Sequence, residues 1–112
     1  MQRAGADKSN MQTTDFLCDF CGRAWDGAFP LVEGHEGSLI CGSCLSVAYA
    51  EVVRAETGSA AEGYRCTMCL EFREDLGWQS PVREVAAVCA RCLRQAGAKL
   101  EKDEDWDWKR PA

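Results

Sequence analysis

Histidine is nearly absent, with His35 the only one among 112 residues. A catalytic zinc usually draws on histidine or carboxylate ligands and keeps one coordination position open. A nucleophile–histidine–acid set likewise needs a histidine beside a nucleophile. His35 falls in Gly34-His35-Glu36-Gly37, which reads as a hairpin turn, so a solvated loop residue and no catalysis are expected. Long apolar runs are missing too, and none approaches the ~18 residues of a membrane span. The opening MQRAGADKSNMQTTD has no apolar core, so no secretory signal is visible. No G-x-x-x-x-G-K-[ST] phosphate loop occurs. Bases are outnumbered, 13 against 18 acids, for a formal net charge of −5. Phosphate backbones repel such a chain unless its bases cluster on one face. A soluble cytoplasmic protein with no membrane partner is the default expectation.

Cysteine is what the chain has in quantity. Eight fall as four CxxC pairs, Cys18/Cys21, Cys41/Cys44, Cys66/Cys69 and Cys89/Cys92. Each half reads C-x2-C-x19-C-x2-C, and every cysteine of the second half lies 48 positions after its counterpart. Two CxxC pairs supply the four thiolates of a closed tetrahedral zinc site, with Zn–S near ~2.3 Å. The expectation is therefore two structural Zn2+ ions, with iron in the same thiolate cage as the competitor. Two such sites would lower the net charge to about −9, because each adds four thiolates and one dication.

A disulfide framework is the other use of an even cysteine count. A bridge inside C-x-x-C closes a very small loop, and the repeated spacing is a demand of metal sites. Each half is also about the size, ~40 residues, below which a chain usually needs a metal, disulfides or a partner to fold. Four cysteines close each site, which argues against catalysis, and zinc-held CxxC pairs can also respond to oxidants. Sequential pairing joins Cys18, Cys21, Cys41 and Cys44, and separately Cys66, Cys69, Cys89 and Cys92. A cross-brace would instead join the first pairs of the two halves, and the second pairs. Equal spacing and a flexible linker favour the sequential arrangement.

Residues 1–15 are polar, without periodicity, and expected to be a disordered N-terminal segment. Residues 16–57 form a first four-cysteine zinc finger. Gly22 permits the turn of the CDFCG knuckle. Two short apolar segments around Gly34–Gly37 read as a β-hairpin. Leu45, Ala48, Tyr49, Val52 and Val53 recur with helical period and stop at Thr57-Gly58. Residues 58–63 are a small, flexible linker. Residues 64–102 form the second finger. Leu70 stands where the first half has Gly22, so a differently shaped knuckle is expected. Leu76 and Trp78 are expected to supply apolar cover. Pro81-Val82 with Ala86-Ala87-Val88 would make its hairpin, and a shorter helix would turn Leu93, Ala96, Gly97 and Leu100 one way. Gly97 weakens that helix by up to ~1 kcal/mol. Residues 103–112 are an acidic tail with Trp106 and Trp108. The fold class is thus a small metal-stabilised α+β protein, two tandem treble-clef-like zinc fingers of knuckle, β-hairpin and helix.

Cys18-x-Phe20-Cys21-Gly22, the Leu31-Val32-Glu33-Gly34 strand, and Ile40-Cys41-x-x-Cys44 leading into an amphipathic helix resemble the N-terminal zinc-binding domain of the ClpX chaperone family. The likeness covers roughly residues 16–56, and the second half shares the cysteine spacing and little else. It implies one structural zinc in a treble clef and a module that dimerises and contacts substrates or adaptors. With no phosphate loop and no room for an ATPase domain, unfoldase activity does not carry over. The family's dimer has a single-chain counterpart if the two halves pack on each other.

The functional expectation is a non-catalytic zinc-binding protein-interaction or adaptor module with an unidentified protein partner, a homodimer being one option. The surplus apolar surface of Val47, Tyr49, Val52 and Val53 supports it. A nucleic-acid-binding regulator is the alternative, resting on Arg83, Arg91, Arg94 and Lys99. Trp106 and Trp108 read either as a tail docked on the second half or as a motif for a partner.

Overall fold

The computed structural model describes all of residues 1–112. Each half is a small α+β unit built around one antiparallel hairpin and one helix. Strands β1 (Leu31–Glu33) and β2 (Leu39–Cys41) pair with Leu31 opposite Cys41 and Val32 opposite Ile40. Helix α1 (Gly42–Tyr49) follows at once and continues into a wider π-helical turn, Ala50–Arg54. In the second half β3 (Gly77–Gln79) pairs with β4 (Ala87–Cys89), Trp78 opposite Val88, and α2 (Ala90–Glu101) follows.

The second hairpin differs from expectation. Its first strand is Gly77–Gln79, while Pro81 and Val82 lie in the connecting loop. The identical x19 spacing conceals two compensating changes. Residues 22–30 link the first knuckle to its strand but only 70–76 the second, whereas the hairpin loops are 34–38 and 80–86. The longer loop is organised from within by Gln79, whose Nε2 donates to the carbonyls of Arg83, Glu84 and Ala86 at 2.9–3.1 Å. Helix α2 is also the longer α-helix, at 12 residues against 8.

One core serves both halves. Phe20, Ile40, Leu45, Val88 and Leu93 are fully buried in a single cluster with the cysteines. The contacts across the junction are reciprocal. Phe20, inside the first knuckle, packs on Trp78 of the second hairpin, ring centroids 5.9 Å apart, and its carbonyl accepts from Ser80 Oγ at 2.5 Å. Met68, the equivalent residue of the second knuckle, is buried, and its carbonyl accepts from the His35 amide of the first hairpin at 2.8 Å. Trp78 therefore provides apolar cover as expected, while Leu76 stays 48% exposed.

The helices meet at Gly97. A β-carbon there would lie 3.0 Å from the Tyr49 ring, so the glycine that weakens α2 locally also permits the close crossing. Leu93, Ala96, Gly97 and Leu100 form the buried face of α2. Tyr49 and Val52 are buried as well, which places much of the surplus apolar surface of the first helical segment against the second half.

Three segments are more tied down than their composition suggests. Residues 1–3 run beside 15–17, with Arg3 N–H on the Asp15 carbonyl and Leu17 N–H on that of Met1. In the linker, the Ser59 and Ala60 amides both donate to Gly77 O, and Ser59 Oγ accepts from Gln79 N–H. The tail returns to the first half: Trp108 Nε1 donates to Gly42 O at 3.2 Å and Ser46 Oγ at 2.9 Å. Trp108 therefore docks on α1, while Arg110 of the same tail pairs with Glu101 of α2. No helix is long and apolar enough to cross a membrane.

Candidate metal centres

The first quartet joins two pieces of backbone. Cys18 and Cys21 come from the knuckle, where Gly22 at φ 76° turns the chain and its amide bonds to Cys18 O at 2.9 Å. Cys41 ends β2 and caps α1, and Cys44 lies in the first helical turn. Knuckle and strand are locked together at one point: Asp19 N–H donates to Leu39 O, and Leu39 N–H donates back to Asp19 Oδ2 at 2.7 Å. The second half repeats this with different chemistry, Thr67 N–H on Ala87 O and Ala87 N–H on Thr67 Oγ1 at 3.0 Å.

Leu70 adopts φ 65°, and its amide bonds to Cys66 O at 2.8 Å. The second knuckle therefore takes the same left-handed turn as the first, contrary to the expectation of a different shape. The ligand geometry outweighs the steric cost of a β-carbon in that region, ~1–2 kcal/mol.

Within each quartet the four sulfurs lie within 4.8 Å of one another. Cys18–Cys44 are 4.0 Å apart, Cys21–Cys41 3.8 Å and Cys66–Cys92 3.8 Å. A tetrahedron with Zn–S of ~2.3 Å has an S···S edge of about 3.8 Å, so the donor set fits a metal of that size. A disulfide requires about 2.05 Å, and all eight cysteines are free. The groups are the sequential ones, Cys18, Cys21, Cys41, Cys44 and Cys66, Cys69, Cys89, Cys92, and not the cross-brace. Both are positioned to hold metal ions.

Backbone amides point at the sulfurs. Cys18 Sγ accepts from Phe20 and Cys41 N–H at 3.4 and 3.3 Å, and Cys41 Sγ from Cys44 N–H at 3.4 Å. Cys66 Sγ and Cys89 Sγ accept from the Cys89 and Cys92 amides. In each quartet one thiol ionises readily, Cys18 or Cys66, while Cys41, Cys44 and Cys92 resist. Hydrogen bonds from Cys41 and then Cys44 hold Cys18 far below the usual thiol value. Cys89 and then Cys92 bring Cys66 down to about 3. Cys41 is pushed up to about 11 by its hydrogen bond to Cys18, and Cys44 and Cys92 are raised too, first by Cys18 and Cys66 respectively. One thiolate in each quartet is stabilised by its neighbours, and Cys41, Cys44 and Cys92 ionise against its charge. A dication removes that conflict, and its binding releases the remaining protons.

The two centres sit under corresponding grooves of different character. Beside the first, about 450 Å³ is lined mainly by Phe20, Cys21, Val47, Trp78, Pro81 and Val82, with Arg23 and Ser43 among the others. Beside the second, about 430 Å³ is lined by Val32, Met68, Cys69, Arg91, Gln95 and Lys99, among others. Val47 and Val82 are 58% and 69% exposed. His35 is an exposed loop residue outside both quartets.

Of the expected basic cluster, Arg91 is ion-paired with Glu71, Arg83 is half-buried in the second hairpin loop, and Arg94 and Lys99 are exposed on α2. Sequence reasoning missed the roles of Phe20, Met68, Gln79 and the Arg91–Glu71 pair. The shared position between the two cysteines of each knuckle was the available signal for the first two. No family model matches the chain, and neither a curated protein nor a solved structure does. The fold and its two quartets define the class alone: a small α+β protein with two four-cysteine centres suited to metal.

Proposed function

We propose that the chain is a non-catalytic zinc-binding interaction module of two tandem treble-clef-like fingers, each with one structural Zn2+. The observation that carries this reading is the division of labour at the junction. Both quartets supply a full set of four sulfurs, while the groove formed by Val47, Trp78, Pro81 and Val82 stays open and apolar. Metal then serves folding, and the groove serves a protein partner presenting an apolar side chain. The likeness of residues 16–56 to a ClpX-type zinc domain, which contacts substrates and adaptors, points the same way. The reciprocal Phe20–Trp78 and Met68–His35 contacts take the place of that family's dimer, so a mass independent of concentration is expected.

Metal analysis should find two zinc ions per chain. Affinity capture from native cells should recover a partner that Val47→Asp and Val82→Asp together lose. Capture unaffected by that pair of substitutions would overturn the groove assignment. The nucleic-acid alternative is tested in parallel, by low-salt DNA and RNA retention that falls on Arg94→Ala with Lys99→Ala.

A further inference from the structure

We propose that Cys21 is the point at which peroxides react with the first metal centre, while the second centre is shielded from the same reaction. The chain then carries one oxidant-labile site and one permanent one. Thiolates in a closed zinc site are already deprotonated, so access and local charge decide which one reacts. Six of the eight cysteines are at most 8% exposed. Cys69 is half-buried, and Cys21 alone is exposed. Its sulfur borders the apolar groove of about 450 Å³, beside Phe20, Val47 and Val82. Its one hydrogen-bonding neighbour is Cys41 Sγ at 3.8 Å, whereas the Cys18 and Cys41 sulfurs accept backbone amides.

The corresponding sulfur of the second half is guarded. Arg91 is ion-paired with Glu71, Glu71 also meets Arg73 at 3.3 Å, and Arg73 meets Asp75 at 2.8 Å. Arg91 and Cys69 line the same groove. A guanidinium beside a thiolate draws on its charge and occupies the approach. In the first half the residue at Arg91's place, one before the last cysteine, is Ser43, and the residue at Glu71's place is Arg23. Arg23 borders the groove of Cys21, but its guanidinium is stacked on the Phe29 ring, 3.6 Å from its centroid, and pairs with no carboxylate. No chain of ion pairs covers Cys21.

The reaction with hydrogen peroxide balances on these residues. The Cys21 thiolate attacks one peroxide oxygen, an S–O bond forms as the O–O bond breaks, and hydroxide leaves. The Cys41 sulfur then attacks the Cys21 sulfur, forming the S–S bond and expelling a second hydroxide. Two sulfurs give up two electrons, the peroxide takes them, and two protons from solvent turn the hydroxides into water. Cys18 and Cys44 are left, too few donors for a closed tetrahedral site. Phe20 sits between Cys18 and Cys21 and packs on Trp78, so loss of the first centre loosens the junction between the halves.

The test uses the full chain carrying two zinc ions and limiting hydrogen peroxide. Released zinc is followed with a chromogenic chelator, and cysteines are mapped by alkylation and mass spectrometry. One zinc equivalent should leave while the other stays, with the first disulfide containing Cys21. Simultaneous release of both, or a first disulfide containing Cys69, would overturn the proposal. Arg91→Ser should bring release of the second zinc towards the rate of the first, and Ser43→Arg should delay the first. Each variant is first checked for two bound zincs, and unchanged release from both would also refute it. The outcome is separable from the interaction reading, because zinc release is read without a partner and Arg91→Ser lies outside the groove of Val47 and Val82.

Discussion

Glycine turns the knuckle of the first half and leucine that of the second, yet Gly22 and Leu70 adopt nearly the same φ, 76° and 65°. Asp19 locks one knuckle to its hairpin through a carboxylate, Thr67 the other through a hydroxyl, at the same point. The hairpins reach their quartets from loops of different length. Where the geometry of four sulfurs constrains the backbone, different residues are driven into one conformation. Where it does not, the halves part: one groove is apolar and open, the other lined by Arg91, Gln95 and Lys99.

Removing the metals should have the largest effect. Structural zinc contributes on the order of 10 kcal/mol in isolated modules, comparable to the whole stability of a small domain. With one shared core, chelation should unfold both halves in a single transition, followed by circular dichroism. Cys41→Ser and Cys89→Ser should each lose one zinc and only part of that stability, the other centre staying loaded. Two separate transitions would break the picture of one core.

Next comes the residue between the knuckle cysteines. Phe20→Ala should cost about 3–5 kcal/mol in denaturant unfolding, and Met68→Ala about 2–3, because the larger Phe20 ring also gives up its packing on Trp78. An equal cost would make the junction more symmetric than its side chains suggest.

Gln79→Ala should cost about 1–3 kcal/mol, since it leaves several carbonyls of the second loop without their shared donor. Glu33→Ala, at the equivalent position of β1, should cost far less. The smallest contrast is at the turns. Gly22→Leu should lose about 1 kcal/mol and Leu70→Gly should gain up to that amount, less the burial the leucine gives up. If Leu70→Gly destabilises, packing of its side chain outweighs relief of the turn.

The quartets were legible in the sequence because ligand spacing is a local demand, and Leu93, Ala96, Gly97 and Leu100 were legible because helical period is local too. Strand β3 was not, since equal totals between cysteines hid a shorter approach and a longer hairpin loop. The conformation of Leu70 was hidden for the opposite reason: leucine disfavours a turn that only the finished site imposes. Gly97 read as a weak point of a helix, and its use emerged only with the Tyr49 ring against it. The ion pairs over Cys69 needed Arg91 and Glu71 brought together across 20 positions of chain.

Trp108 closes on Gly42 and Ser46 from 66 and 62 positions further along the chain. A protein made from its N-terminus therefore presents the face of α1 bare throughout synthesis of the second half. The first quartet can fill as soon as Cys44 emerges, but the indole that covers its helix arrives only after α2 is complete. Nascent chains halted before Trp108 would carry that uncovered face on the ribosome.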